Sequence, residues 1–334
     1  GLVEVLVETG GVLLQGKGVN FPDTDLKLPA LTEKDKLDLA AAVDIKTDYI
    51  SLSFVQRPED MRMLADLAGP VGKRPMLIAK IEKPQAVEAF ESILELSDAI
   101  MIARGDLGVE MSVARVPVLQ KRIISQTNAA GKIVITATQM LESMTHNPRP
   151  TRAEASDVAN AVWDGTDAVM LSGETAVGEY PIETVRTMRH IIFEAERSRP
   201  PRREVFSGSS SPAVYALAAA SVDAANELNA TGIIVITLTG YTAQMVIQRR
   251  PTVPVIAIVS DTRLMNQLAL LWGGKPVALP WSDNTDDFLS EVESLLTTQM
   301  LIKQPGPIVY VSGSTKLRGT DYIMKIGGSI VGSN

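Results

Sequence analysis

The chain contains no cysteine and only two histidines, His146 and His190. That removes disulfide frameworks, thiolate metal sites, cysteine nucleophiles and multi-histidine zinc sites from consideration, and it suits a reducing, cytoplasmic setting. Positive charge is not in excess: 32 Lys and Arg stand against 39 Asp and Glu, a net charge of −7. Nothing therefore draws the whole surface toward nucleic acid, and any phosphate must be captured locally. The longest uncharged stretch, residues 228–248, carries Asn229, several Thr, Gly and Gln, and is too polar for a membrane span. No secretory signal is visible in a sequence that starts at Gly1. What is present is ordinary α/β composition, 45% apolar and 21% charged over 334 residues. That length suits about two domains, each with its own core.

Five continuously apolar runs, at 49–55, 76–82, 99–103, 133–138 and 168–172, alternate with helical patterns. Unbroken apolar runs are how parallel strands covered on both faces read. Pro58, Pro84 and Pro181 sit where the following helices would begin, and Gly131 where one would end. The rhythm predicts a parallel sheet, either an open doubly wound one or part of a (β/α)8 barrel. Upstream, Thr32 opens an amphipathic helix, and residues 2–18 read as a β-hairpin followed by an extended connector marked by Pro22 and Pro29. A polar tract at 200–212 predicts a linker. Beyond it a second α/β unit is expected, with a helix from Ala213 and strands at 233–238, 253–259, 277–279, 308–311 and 322–326.

Polar residues collect at the carboxyl ends of the second to fifth strands: Lys80 and Glu82, then Arg104, Gly105 and Asp106, then Thr138 and Gln139, then Ser172, Gly173 and Glu174. In barrels and open parallel sheets alike, that rim is where active sites are built. Lys80 and Glu82 lie two apart on a strand and share a face among apolar neighbours, so a charged pair there needs compensating partners. Glu82 and Asp106, from adjacent strands, describe a hard-cation site for Mg²⁺ or Mn²⁺. The amides after Arg104 suit a carboxylate or phosphate. Each residue also has a plainer reading: an exposed ion pair worth ~0–1 kcal/mol for Lys80 and Glu82, and strand-end turn formers for Thr138 and Ser172. Gly11 to Lys17 matches Walker A spacing, but Gly18 replaces the Ser or Thr and no helix follows, so it reads as a turn. Neither histidine has a visible ligand or triad partner.

Six segments together resemble the pyruvate kinase family, in that family's order: Ile78-Ala-Lys-Ile-Glu82, Met101-Ile-Ala-Arg-Gly-Asp-Leu-Gly-Val-Glu110, Ile135-Thr-Ala-Thr-Gln-Met-Leu-Glu-Ser-Met144, Pro150-Thr-Arg-Ala-Glu154, Asp157-Val-Ala-Asn-Ala161 and Met170-Leu-Ser-Gly-Glu174. The resemblance implies a partial TIM barrel, its last five strand-helix units, followed by an α/β regulatory domain. The corresponding divisions are 1–22 as lid remnant and connector, 23–199 as barrel, 200–212 as linker and 213–334 as regulatory domain. It also implies phosphoryl transfer from phosphoenolpyruvate to ADP, giving pyruvate and ATP in glycolysis. In that reading Glu82 and Asp106 hold the divalent ion, and Arg104, Gly105, Asp106 and Thr138 receive substrate. Lys80 faces the transferring group, and Thr138, Ser172 and Glu174 with water relay a proton. Relative to the family the sequence lacks three barrel strands and most of the lid, with the K⁺ ligands and part of the ADP site, so little activity is expected of this chain alone.

The resemblance further implies a homo-oligomer with Arg152 near a subunit contact. The loop Thr239-Gly-Tyr-Thr-Ala243 follows a strand and opens a helix, as phosphate pockets do. It is similar to the family's effector loop, with Thr237, Thr239, Gly240 and Thr242 in place and Lys316 and Arg318 as charge donors for a sugar phosphate or nucleotide. Two further functions stay open: a metal-dependent lyase acting on the same kind of substrate, and a catalytically dead effector-binding scaffold.

Overall fold

Ile, Val, Met and Ala dominate most strands of the two sheets, and many of the helices begin at Pro or at a capping threonine hydroxyl. The computed structural model describes residues 4–12, 15–16, 18–19, 21, 29–198, 211–282, 284–302, 304–313 and 322–328. The first unit runs α1 (Glu33–Asp44), β1 (Tyr49–Leu52), α2 (Pro58–Ala68), β2 (Met76–Ile81), α3 (Pro84–Glu88), α4 (Phe90–Leu96), β3 (Ala99–Ala103), α5 (Arg104–Glu110), α6 (Val116–Ala129), β4 (Ile133–Ala137), α7 (Arg152–Asp164), β5 (Ala168–Val169), α8 (Gly173–Ala176) and α9 (Pro181–Arg197). Thr32 caps α1 in a capping box with Asp35, as its sequence position suggested.

The five strands form one parallel sheet in the order β1-β2-β3-β4-β5. This is the succession of strands in part of a (β/α)8 barrel. Side chains alternate across it: Ile100, Ile102 and Val134 join the core made with α1, α2, α4 and α6, while Ala99, Met101, Ile133 and Ile135 belong to the opposite core. Fully burying each large aliphatic chain contributes about 1.5–3 kcal/mol.

The second unit runs α10 (Pro212–Glu227), β6 (Gly232–Ile236), α11 (Tyr241–Gln248), β7 (Val255–Val259), α12 (Thr262–Leu268), β8 (Gly274–Ala278), α13 (Thr285–Thr298), β9 (Ile308–Gly313) and β10 (Tyr322–Gly327). Its sheet has the order β10-β9-β6-β7-β8, parallel except for the antiparallel β10.

The second unit docks on the amino ends of the first sheet. Tyr49 donates its hydroxyl to Gln267 O, and Gln244 Nε2 donates to Gly131 O at 2.6 Å. Arg250 bonds the Gly165 carbonyl and pairs with buried Asp167 at 3.3 Å. Every first-sheet partner lies at or just before a strand start, so the carboxyl ends stay clear for a site. No helix among the described residues is long and apolar enough to cross a membrane.

Three expectations need correction. Residues 4–12 form no strand in place of the expected hairpin, and Val5, Leu6, Val7 and Val12 are all exposed. A hairpin gains too little by itself without a surface to pack on. The last strand of the first sheet ends at Val169, so Ser172 lies in the turn before α8 and not on the strand. The helix expected from Pro84 is broken at Ala89, where ψ is 17°, into α3 and α4.

Candidate active site

β2 carries Lys80 and delivers Glu82 just past its end. Glu82 is 1% exposed, so its charge must be met inside the protein. Lys80 Nζ meets Glu82 Oε1 at 2.7 Å and also donates to Ser53 Oγ at 2.8 Å. The backbone N–H of Phe54 donates to Glu82 Oε2 at 2.6 Å. Phe54 has φ 55°, a left-handed conformation unusual for a bulky side chain, which aims that N–H inward. The plain surface-pair reading is thereby excluded.

β3 runs straight into α5, which begins with Arg104, Gly105 and Asp106. Asp106 is half-buried in the first turn. At the other end of α5, buried Glu110 takes Lys83 at 2.5 Å, and the Lys83 ammonium lies 5.7 Å from the Phe54 ring centroid. Lys83, the residue after Glu82, is thus tied to α5.

At the end of β4, Thr138 and Gln139 both have positive φ, 68° and 53°. Such non-glycine backbone costs about 1–3 kcal/mol per residue and persists only where its surroundings hold it. Gly105 N–H donates to Thr138 Oγ1 at 2.7 Å, and Thr138 Oγ1 donates to Ala137 O at 2.6 Å. Arg104 donates from Nη2 to Thr138 O at 2.7 Å and from Nε to Ala137 O at 3.2 Å, while Nη1 meets Asp157 at 2.7 Å.

Past β5, Glu174 is fully buried and joins two loops: Oε2 accepts from Ser172 N at 2.7 Å and Oε1 from Leu141 N at 3.2 Å. Nearby, Glu154 takes Ser143 N at 2.7 Å and Thr151 N at 2.7 Å, with both hydroxyls. Burial works to raise its pKa, but the bonds from Ser143 and Thr151 outweigh it and hold the carboxyl below its ordinary value.

Among the described residues no group of three or more His, Cys, Asp or Glu converges as a metal cage. A two-carboxylate set still fits Mg²⁺ or Mn²⁺, which take one or two protein carboxylates and complete the shell with water and substrate oxygens. Glu82, held by bonds to each oxygen and with lone pairs to spare, and half-buried Asp106 are the two carboxylates that could supply such a set.

Arg152 is exposed at the first position of α7. In the second unit, Thr237 is buried and its Oγ1 accepts from Gly240 N at 3.0 Å. Gly240 sits at φ 82°, and a Cβ there would come within 3.0 Å of Leu264. Thr242 is buried against Gly313, Thr239 is exposed, and the neighbouring buried Ser312 Oγ has no partner among the described residues. Lys316 and Arg318 lie outside the described residues.

The sequence alone did not single out Ser53, Phe54, Lys83, Glu110, Asp157 or Glu154 as parts of this constellation. Asp157 and Glu154 fall inside motifs already quoted, and Lys83 and Glu110 adjoin or end them. Phe54 acts through its backbone, for which side-chain identity carries no signal.

Residues 2–185 match the family model described as pyruvate kinase, barrel domain, and residues 215–326 match pyruvate kinase, alpha/beta domain. The chain is 43% identical over 335 residues to pyruvate kinase 2 of Synechocystis, covering 98% of this chain and 56% of that protein. It is 42% identical over 327 residues to pyruvate kinase of Clostridium acetobutylicum, covering 96% and 69%, and 42% identical over 318 residues to that of Geobacillus stearothermophilus, covering 94% and 54%. The chain thus spans roughly half to two thirds of the length of these curated relatives.

Proposed function

The chain belongs to the pyruvate kinase family, and on that premise we propose that its strand-end rim serves phosphoryl transfer from phosphoenolpyruvate to ADP, the step of glycolysis that yields pyruvate and ATP. The observation that carries this reading is the buried Glu82 carboxylate, held by Lys80 and the Phe54 amide at the mouth of the sheet beside the helix that bears Asp106.

Glu82 and Asp106 would hold Mg²⁺ or Mn²⁺, which supplies neutralisation of phosphate charge when bound. Lys80 faces the transferring group and offsets the charge on its oxygens. The amides of Gly105 and Asp106, with Thr138, receive the carboxylate and phosphate region; a substrate oxygen would take the Gly105 N–H that Thr138 Oγ1 now occupies. As the phosphorus–enol oxygen bond breaks and the bond to the terminal ADP oxygen forms, an enolate is left. It gains a proton at carbon through Thr138, Ser172 and water, with Glu174 fixing the Ser172 backbone. K⁺, which the family uses, is assigned to no residue of this chain. A cytoplasmic homo-oligomer completes the reading.

Phosphoenolpyruvate, ADP and Mg²⁺ supplied to an assembly containing the chain should give pyruvate and ATP in equal amounts. Aldol cleavage without ATP would replace the kinase with the lyase, and effector binding without any turnover would leave a scaffold.

A further inference from the structure

We propose that Asp157 is a positioning residue for Thr138, acting through Arg104; this rests on the reading of Thr138 as part of the substrate and proton-transfer site.

Arg104 bridges three helices and a turn. Its Nη1 takes Asp157 Oδ2 at 2.7 Å from α7 and Gln120 Oε1 at 3.2 Å from α6, and its Nε and Nη2 donate to the carbonyls of Ala137 and Thr138. A third carbonyl, that of Gln139, lies 3.4 Å from Nη2. A guanidinium is a rigid fork, so fixing one edge fixes the direction of the other. Here the Asp157 edge aims the opposite edge at a turn made of two consecutive left-handed residues, Thr138 and Gln139. Neither is glycine, so the turn needs an external hold.

That hold determines where the Thr138 hydroxyl sits. With its backbone pinned, Oγ1 reaches the Gly105 N–H at 2.7 Å, linking the end of β4 to the start of the helix that carries Asp106. Without Asp157, Nη1 keeps only Gln120, the fork can swing, and the turn relaxes toward ordinary backbone. The Arg104 side chain is 9% exposed and its donors are committed to protein acceptors. Among the described residues Asp157 has no hydrogen bond or ion pair with Thr138 or Gly105, so its influence on them runs through Arg104.

The test uses the full chain labelled with ¹⁵N-glycine, reading the Gly105 amide by NMR hydrogen exchange. Asp157→Ala should speed Gly105 exchange about tenfold, the scale of one lost hydrogen bond. Gly232 and Gly274, in the second sheet, should not change. Asp157→Asn, which keeps a hydrogen-bond acceptor, should stay within about threefold of the wild type. In a Thr138→Val background, where the Gly105 bond is already absent, Asp157→Ala should add nothing. Unchanged Gly105 exchange in Asp157→Ala, or equal acceleration in either Thr138 background, overturns the proposal. If Asp157→Ala does not fold, Asp157→Ser, whose side chain is polar but too short to keep the 2.7 Å contact with Arg104 Nη1, takes its place in the same comparison, and unchanged Gly105 exchange there overturns the proposal equally. The amide readout is independent of turnover: a wild-type chain with a protected Gly105 amide but no phosphoryl transfer in its assembly would count against the kinase reading and leave the clamp standing.

Discussion

Phe54 presents its backbone N–H to Glu82 Oε2 at 2.6 Å, so a residue beyond the end of β1 orients the carboxylate at the end of β2. Because Lys80 holds the other oxygen, Glu82 is preoriented at the rim before any ion arrives. Glu82→Gln keeps the shape and removes the charge. Mn²⁺ binding followed by electron paramagnetic resonance should weaken by about tenfold or more, since loss of a charged ligand costs at least what loss of a supporting contact does. An unchanged titration would remove Glu82 from the metal site.

The rim itself was legible because consecutive parallel strands place their carboxyl ends together, so Lys80, Glu82, Asp106 and Thr138 could be gathered without coordinates. What held them there was not. The Phe54 amide and the Asp157 to Arg104 pair depend on backbone angles and helix packing that leave no pattern in side-chain identity. Strand length was read best where both faces are covered, as in 99–103, and overran by three residues in both edge strands, 49–55 against β1 and 168–172 against β5. The antiparallel course of β10 was not read, because apolar alternation looks alike in either direction.

Among the described residues the first sheet is open, with β1 and β5 as edges. Open edges and apolar surface such as Leu37 and Ile45, both 73% exposed, favour association, and five strands do not close a barrel around a site. A preparation of these 334 residues alone should therefore show little or no ATP formation from phosphoenolpyruvate and ADP. Sustained turnover by the purified monomer would contradict this.

Arg152 stands exposed at the start of α7, beside Thr151 and Glu154, which already satisfy one another. Its guanidinium is thus available to a neighbouring subunit. Arg152→Ala should shift sedimentation equilibrium toward smaller species at micromolar concentration while the thermal melt of the dissociated chain stays put. A wild-type chain that is monomeric there would dispose of the contact.

Glu154 ties the 143–151 loop to the amino end of α7. Its pKa is held below the ordinary 4.5, so the folded state favours the ionised form more than the unfolded state does. The resulting stabilisation is present above about pH 4.5 and is lost as pH falls through the depressed folded value. Glu154→Gln should lower Tm by roughly 2–4 °C at pH 7 if about 1 kcal/mol is lost. That deficit should shrink as both proteins are acidified. A difference that grows at low pH would assign the effect to something other than the carboxylate.

Thr239 is exposed at the mouth of the loop between β6 and α11, while Thr237 and Thr242 are buried and brace it. The loop therefore has a fixed frame with the Thr239 hydroxyl exposed, and Ser312 Oγ on the neighbouring strand β9 has no partner among the described residues. A phosphate there would draw on hydroxyls and the amides opening α11. Isothermal titration with fructose bisphosphate, glucose 6-phosphate, ribose 5-phosphate and AMP should show heat from at least one. Thr239→Glu places a carboxylate where the phosphate would sit, and should weaken that binding by about tenfold or more through like-charge repulsion. It should leave the melt nearly unchanged, because an exposed substitution away from the core shifts stability by roughly 0.5 kcal/mol or less. Heat from none of the four, or equal heat in the variant, would remove the effector site from this loop.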